Sequence, residues 1–210
     1  MTAEAIARNE SDVWTDLRGM IADAEVRPDL VAALLDGLSD ELRPRVVRRL
    51  GPADQRALYE KVEGFAALRL VDLVAPSRAD LQEVRHLGRN TLPAFRIFEK
   101  RFCRLPGTDP AAPESLAGYN FQTMSILTGP GYFVAREDPE HHEVLVDYNQ
   151  LPTSRPDSWP QIRSNERGLS RFVYGFMVDR LRRVSEHVTI GSAARKGKDM
   201  GSYFVLSRAD

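Results

Sequence analysis

The spacing of apolar residues changes along the chain, and this change limits most strongly what the sequence can fold into. In roughly the first 90 residues, apolar side chains recur at helical spacing, as in Leu30, Leu34 and Leu38, and prolines or glycines separate the runs. Beyond the Pro-rich segment at 106–113, runs of β-branched and aromatic residues alternate with turn residues, which is typical of strands. The sequence therefore predicts a short-helix region over 1–90 and an antiparallel α+β domain over 91–210.

Composition supports a boundary near residue 90. Residues 1–90 hold three of the 17 aromatic side chains and carry a net charge of −3, whereas residues 91–210 carry +2. The net charge of the whole chain is −1, which argues against a protein that coats DNA, because such binding needs many uncompensated cations. The single cysteine, Cys103, excludes a disulfide framework within the chain and is compatible with a reducing compartment.

The segment 91–105 carries a pattern that predicts an amphipathic helix at the start of the second domain. Phe95, Phe98 and Phe102 fall on one helical stripe. Arg96 and Lys100 lie on or beside the opposite face. Such a helix can pack its phenylalanines into a core or lie on a membrane surface, and both alternatives stay open at the level of the sequence.

A second, longer helix is predicted over 168–186, where Val173, Met177 and Leu181 recur at helical spacing. Strands are predicted at 119–135 around a Gly-Pro-Gly turn, at 143–148, and in a C-terminal hairpin over 188–207. The short turns between these strands exclude parallel pairing, which needs long crossovers. We therefore expect an α+β fold in which a mostly antiparallel sheet carries one long helix packed on it.

The short motifs that mark common enzyme classes do not occur in the sequence. It has no Walker A loop, no G-x-G-x-x-G fingerprint and no G-x-S-x-G elbow. The densest group of possible metal ligands lies at 138–143, but His141 and His142 would point to opposite sides of an extended chain. The sequence therefore predicts no metal, no cofactor and no assigned catalytic residue.

Polar and aromatic residues gather at the predicted element boundaries, where side chains can converge on a cleft. The candidate ligand-binding residues are Arg89, Asn90, Tyr119, Asn120, Tyr132, Asp147 and Tyr148. The same residue types are common at turns and strand ends, so a purely structural role stays open. If the cleft is catalytic, Tyr132, Asp147 and His141 are the candidates for acid–base work.

Basic residues cluster in the last 31 positions of the chain. Arg180 and Arg183 share one face of the predicted long helix, and a hairpin folded back over the helix end would join them to a basic turn. The resulting patch would suit phosphate, carboxylate or RNA. The candidate anion-binding residues are Arg180, Arg183, Arg195, Lys196 and Lys198.

These observations favour a non-enzymatic module that binds a small anionic or amphipathic molecule or a protein partner. One alternative is an enzyme with the acid–base site just named. Another is an RNA or membrane-surface adaptor that uses the two predicted cationic helices. The first residues do not resemble a secretory signal, and no stretch of about 18 residues is apolar enough to span a membrane, so we expect a cytoplasmic protein.

Overall fold

Five short helices occupy the first part of the chain as far as the structure describes it. The computed structural model describes residues 9–122, 130–163 and 175–209. The helices are α1 (Glu10–Ala22), α2 (Pro28–Asp36), α3 (Leu42–Val47), α4 (Pro52–Lys61) and α5 (Leu70–Leu73). Asn9 caps α1 by accepting a hydrogen bond from the Asp12 amide, and Pro28 and Pro52 stand in first turns, where a missing amide N–H is tolerated.

The rest of the described chain forms a closed antiparallel β-barrel. Its strands are β1 (Val84–Asn90), β2 (Ile97–Arg104), β3 (Leu116–Phe121), β4 (Tyr132–Asp138), β5 (Glu143–Asp147), β6 (Met177–Arg183), β7 (Val188–Arg195) and β8 (Lys198–Ala209). Each strand pairs with the next, and β8 pairs with β1 to close the ring. The predicted α+β fold, an open sheet with one long helix packed on it, is therefore wrong.

The segment predicted as the leading amphipathic helix is mainly strand β2. Phe98 and Phe102 face the barrel interior together with Lys100 between them, while Glu99 and Arg101 pair on the outer side. Residues four positions apart lie on one side of a helix and also on one side of a strand, so Phe98 and Phe102 fit both patterns. The pairing of β2 with both β1 and β3 shows that the strand is the correct assignment.

The predicted long helix over 168–186 is also wrong where the structure describes it. Residues 177–183 form strand β6, paired with β5 and β7, and residues 164–174 lie outside the described residues. Met177 and Leu181 again stand four positions apart, which suits either periodicity. In contrast, the predicted strand at 143–148 is confirmed as β5, and the predicted C-terminal hairpin is confirmed as β7 and β8.

Aromatic rings fill the barrel interior by lying over glycines on neighbouring strands. A Cβ atom on Gly118 would come within 2.2 Å of the Phe133 ring, and one on Gly191 within 2.3 Å of the Phe204 ring. Each ring therefore occupies the space that a neighbouring side chain would otherwise take. Both rings belong to the apolar cluster that fills much of the barrel interior.

The helices cover the outer face of β7 and β8. Val188, Ile190 and Val205 point outward and join one apolar cluster with Leu17 of α1 and Leu58 of α4. Strand β1 lies before the predicted boundary at residue 90, and the independence of the two regions stays a prediction. Among residues 9–122, 130–163 and 175–209, no helix is long and apolar enough to cross a membrane.

Candidate ligand-binding cavity

The upper half of the barrel encloses a cavity of about 360 Å³. It lies at the end of the barrel where β1, β3, β5 and β7 finish, which we call the mouth. Phe98, Met177 and Phe204 form part of its apolar wall, and it reaches the surface beside Leu92 and Met200, which are both exposed. An eight-stranded barrel is just wide enough either to be filled by side chains or to hold one small ligand.

Four polar side chains from different strands meet in this cavity. Lys100 comes from β2, Asn120 from β3, Asp179 from β6, and Tyr148 directly follows β5. Lys100 and Asn120 are register partners across β2 and β3, so their side chains project to the same side. We call these four residues the buried tetrad.

Hydrogen bonds connect all members of the buried tetrad. The Lys100 ammonium donates to Asp179 Oδ2 at 2.9 Å, to Asn120 Oδ1 at 3.3 Å and to the Tyr148 hydroxyl. The Tyr148 hydroxyl accepts from Asn120 Nδ2 at 2.8 Å and donates to Asp179 Oδ2 at 3.1 Å. All three ammonium protons of Lys100 therefore have acceptors within the barrel.

The Lys100 charge is almost completely removed from water. Lys100 is 1% exposed and Asp179 is 2% exposed. The Lys100 nitrogen lies 4.8 to 5.0 Å from the ring centroids of Phe133, Tyr148 and Phe204, a distance at which aromatic faces attract cations. Burial lowers the pKa of the Lys100 ammonium from its ordinary value, and the Asp179 carboxylate opposes that shift.

One oxygen of the tetrad has no hydrogen-bond donor among the described residues. Asp179 Oδ1 is buried and accepts no hydrogen bond from the residues that the structure describes. Leaving a buried acceptor unsatisfied costs about 1–3 kcal/mol, and more for a charged group. Asp179 lines the cavity, although Oδ1 itself has almost no surface exposed to it.

Three of the seven predicted ligand-binding residues come together at this cavity. Asn90, Asn120 and Tyr148 line it. Asn90 also holds the loop at the mouth, because its Nδ2 donates to the Phe95 carbonyl at 3.2 Å. The role of these residues in ligand binding stays a prediction, but the structure places them on one surface.

The other four predicted ligand-binding residues do not line the cavity. Arg89 donates to the Arg48 carbonyl at 2.7 Å, next to the helices. Tyr119 and Tyr132 pack with Trp159 in an apolar cluster separate from the interior one. Asp147 accepts hydrogen bonds from the Asn149 and Gln150 side chains. Strand alternation explains this separation, because neighbouring residues of one strand face opposite sides of the barrel wall.

The predicted anion-binding residues divide into two groups. Arg180 pairs with Asp138 and Glu143, and Arg183 pairs with Asp72 at 3.3 Å, so carboxylates within the protein already engage both. Arg195 lines the cavity, while Lys196 and Lys198 lie exposed at the β7–β8 turn. The single patch predicted from the sequence required a helix at Arg180 and Arg183, and the structure has strand β6 at both positions.

The residues of the predicted acid–base site are not brought together. His141 lies in the β4–β5 turn, at the end of the barrel opposite the mouth, and pairs with Asp138 at 2.9 Å. Asp147 is at the mouth end of β5, and Tyr132 donates to the Pro160 carbonyl. Burial raises the pKa of Tyr132, which makes its hydroxyl a weaker acid.

Other reactive residue types lie in surroundings that favour structural roles. Cys103 is buried in the cluster with Tyr119, and burial raises the pKa of its thiol to about 12, which suppresses the nucleophilic thiolate. Within the described ranges, no group of three or more His, Cys, Asp or Glu residues could hold a metal ion.

Lys100 and Asp179 were missed by sequence reasoning. Lys100 was predicted on or beside the polar face of a helix, and Asp179 falls within the segment 168–186 that was also predicted as a helix, where charged residues normally contact water. The alternation Phe98, Lys100, Phe102 was the signal that could have identified the lysine as an inward residue of a strand. Comparisons of the chain with protein-family models, with curated proteins and with solved structures gave no match.

Proposed function

We propose that the barrel binds a small amphipathic molecule, with an apolar body against the aromatic wall and a hydrogen-bond donor at the buried tetrad. The volume of about 360 Å³ lies in the range of about 300–1,000 Å³ typical of ligand pockets. Such pockets are mostly apolar and contain a few convergent polar groups that orient the ligand. The cavity has both features.

The unsatisfied Asp179 Oδ1 carries this proposal, because it specifies the chemistry of the ligand's inner end. A ligand that displaces the side chains around this oxygen is expected to donate to it from a hydroxyl or amide N–H, whereas a carboxylate or phosphate would be repelled by it. The positive charge of Lys100 is already balanced by Asp179, so the buried tetrad offers little net charge to attract an anion. An amphipathic ligand is therefore favoured over a simple anionic one.

Thermal unfolding with matched probe molecules tests the proposal. We expect 1-decanol to raise the melting temperature and methyl decyl ether, which lacks the donor, to raise it much less. A ligand at a hundred times its Kd adds about 2.7 kcal/mol, which is roughly 5–10 °C for a domain of this size. Absence of a rise with any alcohol from hexanol to dodecanol, together with a ligand-free mass by native mass spectrometry, would overturn the proposal.

A cavity-blocking variant shows whether the alcohol binds inside the barrel. Ala193 lines the cavity, and Ala193→Phe fills it, so the decanol effect is expected to disappear. The control is Ala194→Phe, because Ala194 is the next residue of β7, is only half-buried and does not line the cavity. Equal responses of the two variants would place the alcohol outside the cavity.

We also propose a cytoplasmic location, with which the buried free thiol of Cys103 accords. Release of the protein by osmotic shock or into the medium would contradict it. Binding of a protein partner or of RNA stays a prediction. The two cationic helices required for an adaptor are strands β2 and β6 where the structure describes them.

A further inference from the structure

Exposed apolar side chains concentrate around the mouth of the barrel. Of the eight large apolar side chains that are exposed in the described part of the chain, six belong to this region, and they are Leu92, Phe95, Ile97, Phe121, Phe176 and Met200. We call these six residues the apolar rim. The remaining two are Leu30 on α2 and Leu151 in the β5–β6 connection.

The β1–β2 loop is held in a form that presents its apolar side chains outward. Asn90 Oδ1 accepts from the Leu92 amide at 3.1 Å, and Arg96 Nε donates to the Leu92 carbonyl at 3.1 Å. Phe95 has φ of +52° and is 58% exposed, an unfavourable backbone region for a bulky residue. The loop therefore maintains a strained backbone at a residue whose ring remains in water.

Positive charge lies between the apolar side chains of the rim. Arg96, Lys196 and Lys198 are exposed there, and Asp199 is the single carboxylate in the described segments 91–96 and 196–201, which cover the β1–β2 loop, the β7–β8 turn and the start of β8. The Lys196 nitrogen lies 5.1 Å from the Phe176 ring centroid. The whole chain has a net charge of −1, so these two segments together have the opposite sign to the molecule's total.

We propose that the apolar rim docks the mouth of the barrel onto an anionic lipid bilayer. Apolar side chains flanked by lysine and arginine match the boundary between acyl chains and negatively charged headgroups. Charge complementarity favours an anionic bilayer over an apolar protein groove, because such a groove would leave Arg96, Lys196 and Lys198 without anionic partners. Exchange of an amphipathic ligand between bilayer and cavity rests on the proposed function; the docking itself does not.

Vesicle co-sedimentation tests the docking. We expect the protein to bind vesicles of phosphatidylcholine mixed with phosphatidylglycerol, to bind vesicles of phosphatidylcholine alone more weakly, and to dissociate as salt is raised. Lys196→Gln together with Lys198→Gln should weaken binding about 30-fold, since each basic residue near an anionic surface contributes roughly fivefold. Arg45→Gln with Arg56→Gln, at exposed positions on α3 and α4, is the matched control and should bind like the wild type.

A second variant pair isolates the apolar contribution. Phe95→Ser removes the most exposed ring of the rim, and Leu30→Ser removes an apolar side chain of similar exposure, 51%, from α2. Only the first is expected to weaken vesicle binding. Both positions are exposed, so neither change removes core packing.

The outcomes separate this proposal from its competitors and from the proposed function. Absence of binding to anionic vesicles at low salt overturns the docking, as do equal effects of Phe95→Ser and Leu30→Ser. If Phe95→Ser instead converts a dimer to a monomer in size-exclusion chromatography without affecting vesicle binding, the rim contacts a second copy of the chain. Retained vesicle binding, with no response to any alcohol from hexanol to dodecanol and a ligand-free native mass, would defeat the proposed function alone.

Discussion

Lys100 and Asp179 show how one pair of residues can be both a structural liability and the basis of a site. Removing two charges from water is expensive, and their attraction offsets this only when further hydrogen bonds satisfy the remaining polar groups. Asn120 and Tyr148 supply those bonds to the lysine. Asp179 Oδ1 is left without one, so the pair is complete as a charge pair and incomplete as a hydrogen-bond network.

A double-mutant cycle should show strong coupling between these two charges. Lys100→Met leaves the Asp179 carboxylate buried without its counter-ion, and we expect a loss of about 3–5 kcal/mol in the free energy of unfolding. Lys100→Met with Asp179→Leu removes both charges, so its loss should be smaller than that of either single variant. Urea unfolding of the four proteins measures the coupling, and additive losses would contradict it.

The alkaline stability profile should report the buried lysine. The pKa of Lys100 in the folded protein is lower than the unfolded value of about 10.5, so the unfolded chain binds more protons between these two values. The free energy of unfolding contributed by this group therefore rises with pH across that window and is fully present above 10.5. Tyrosines with raised pKa values, such as Tyr59, act in the opposite direction, so the comparison with Lys100→Met is required.

Urea titrations at several alkaline pH values measure this effect. The difference in unfolding free energy between wild type and Lys100→Met should grow with pH in favour of the wild type. Lys196→Met, at an exposed turn, is the control and should follow the wild-type profile. A constant difference across the window would show that Lys100 does not titrate differently in the folded and unfolded states.

At the scale of elements, the sequence was informative where turns and strand patterns were local. The β7–β8 hairpin could be predicted because a Lys-Gly turn separates two β-rich runs, and the structure places both turn residues at positive φ. Strands β2 and β6 could not, because Phe98 and Phe102, like Met177 and Leu181, suit a helix as well as a strand. Lys100 in β2 and Asp179 in β6 are the polar residues inside these runs, and they lie buried. Their burial is explained by hydrogen-bond partners that are far away in the sequence, which a local pattern does not reveal.

Two glycines in different elements should respond to the same substitution with opposite signs. A Cβ at Gly118 of β3 would meet the Phe133 ring at 2.2 Å and the Arg101 carbonyl at 2.7 Å, so Gly118→Ala should destabilise the protein by about 1–3 kcal/mol. Nothing lies within 4 Å of a Cβ at Gly19 of α1, and alanine favours the helix, so Gly19→Ala should stabilise it by about 0.5–1 kcal/mol.

Urea midpoints and slopes of the two alanine variants provide the measurement. If Gly118→Ala leaves the free energy of unfolding unchanged, the barrel wall relaxes around Phe133. The packing of this ring would then not require a glycine in β3. A destabilising Gly19→Ala would contradict the open surroundings of α1.

At the scale of the whole molecule, helices and barrel share an apolar cluster, which predicts that they unfold together. Strand β8 contributes Phe204 and Leu206 to the interior and Val205 to the cluster with the helices. Arg182 on β6 also bonds both Glu143 of β5 and the Tyr59 carbonyl of α4. Closure of the barrel and its cover of helices depend on contacts between residues far apart in sequence, which local patterns do not reveal.

The two tryptophans make this cooperativity measurable, because Trp14 lies on α1 and Trp159 packs on the barrel beside Tyr119. In Trp159→Phe the fluorescence reports the helices, and in Trp14→Phe it reports the barrel. The fluorescence transition of each variant is compared with the far-ultraviolet circular dichroism transition of the same variant. We expect the two transitions to coincide in both variants. Leu58→Ala, in the shared cluster, should lower both midpoints together by an amount equivalent to about 2–5 kcal/mol.

If the Trp14 signal instead changed at lower urea while the barrel signal persisted, the region before residue 90 would unfold on its own. The predicted division into two domains would then be correct, because the shared cluster would be an interface between separately stable parts and not a common core.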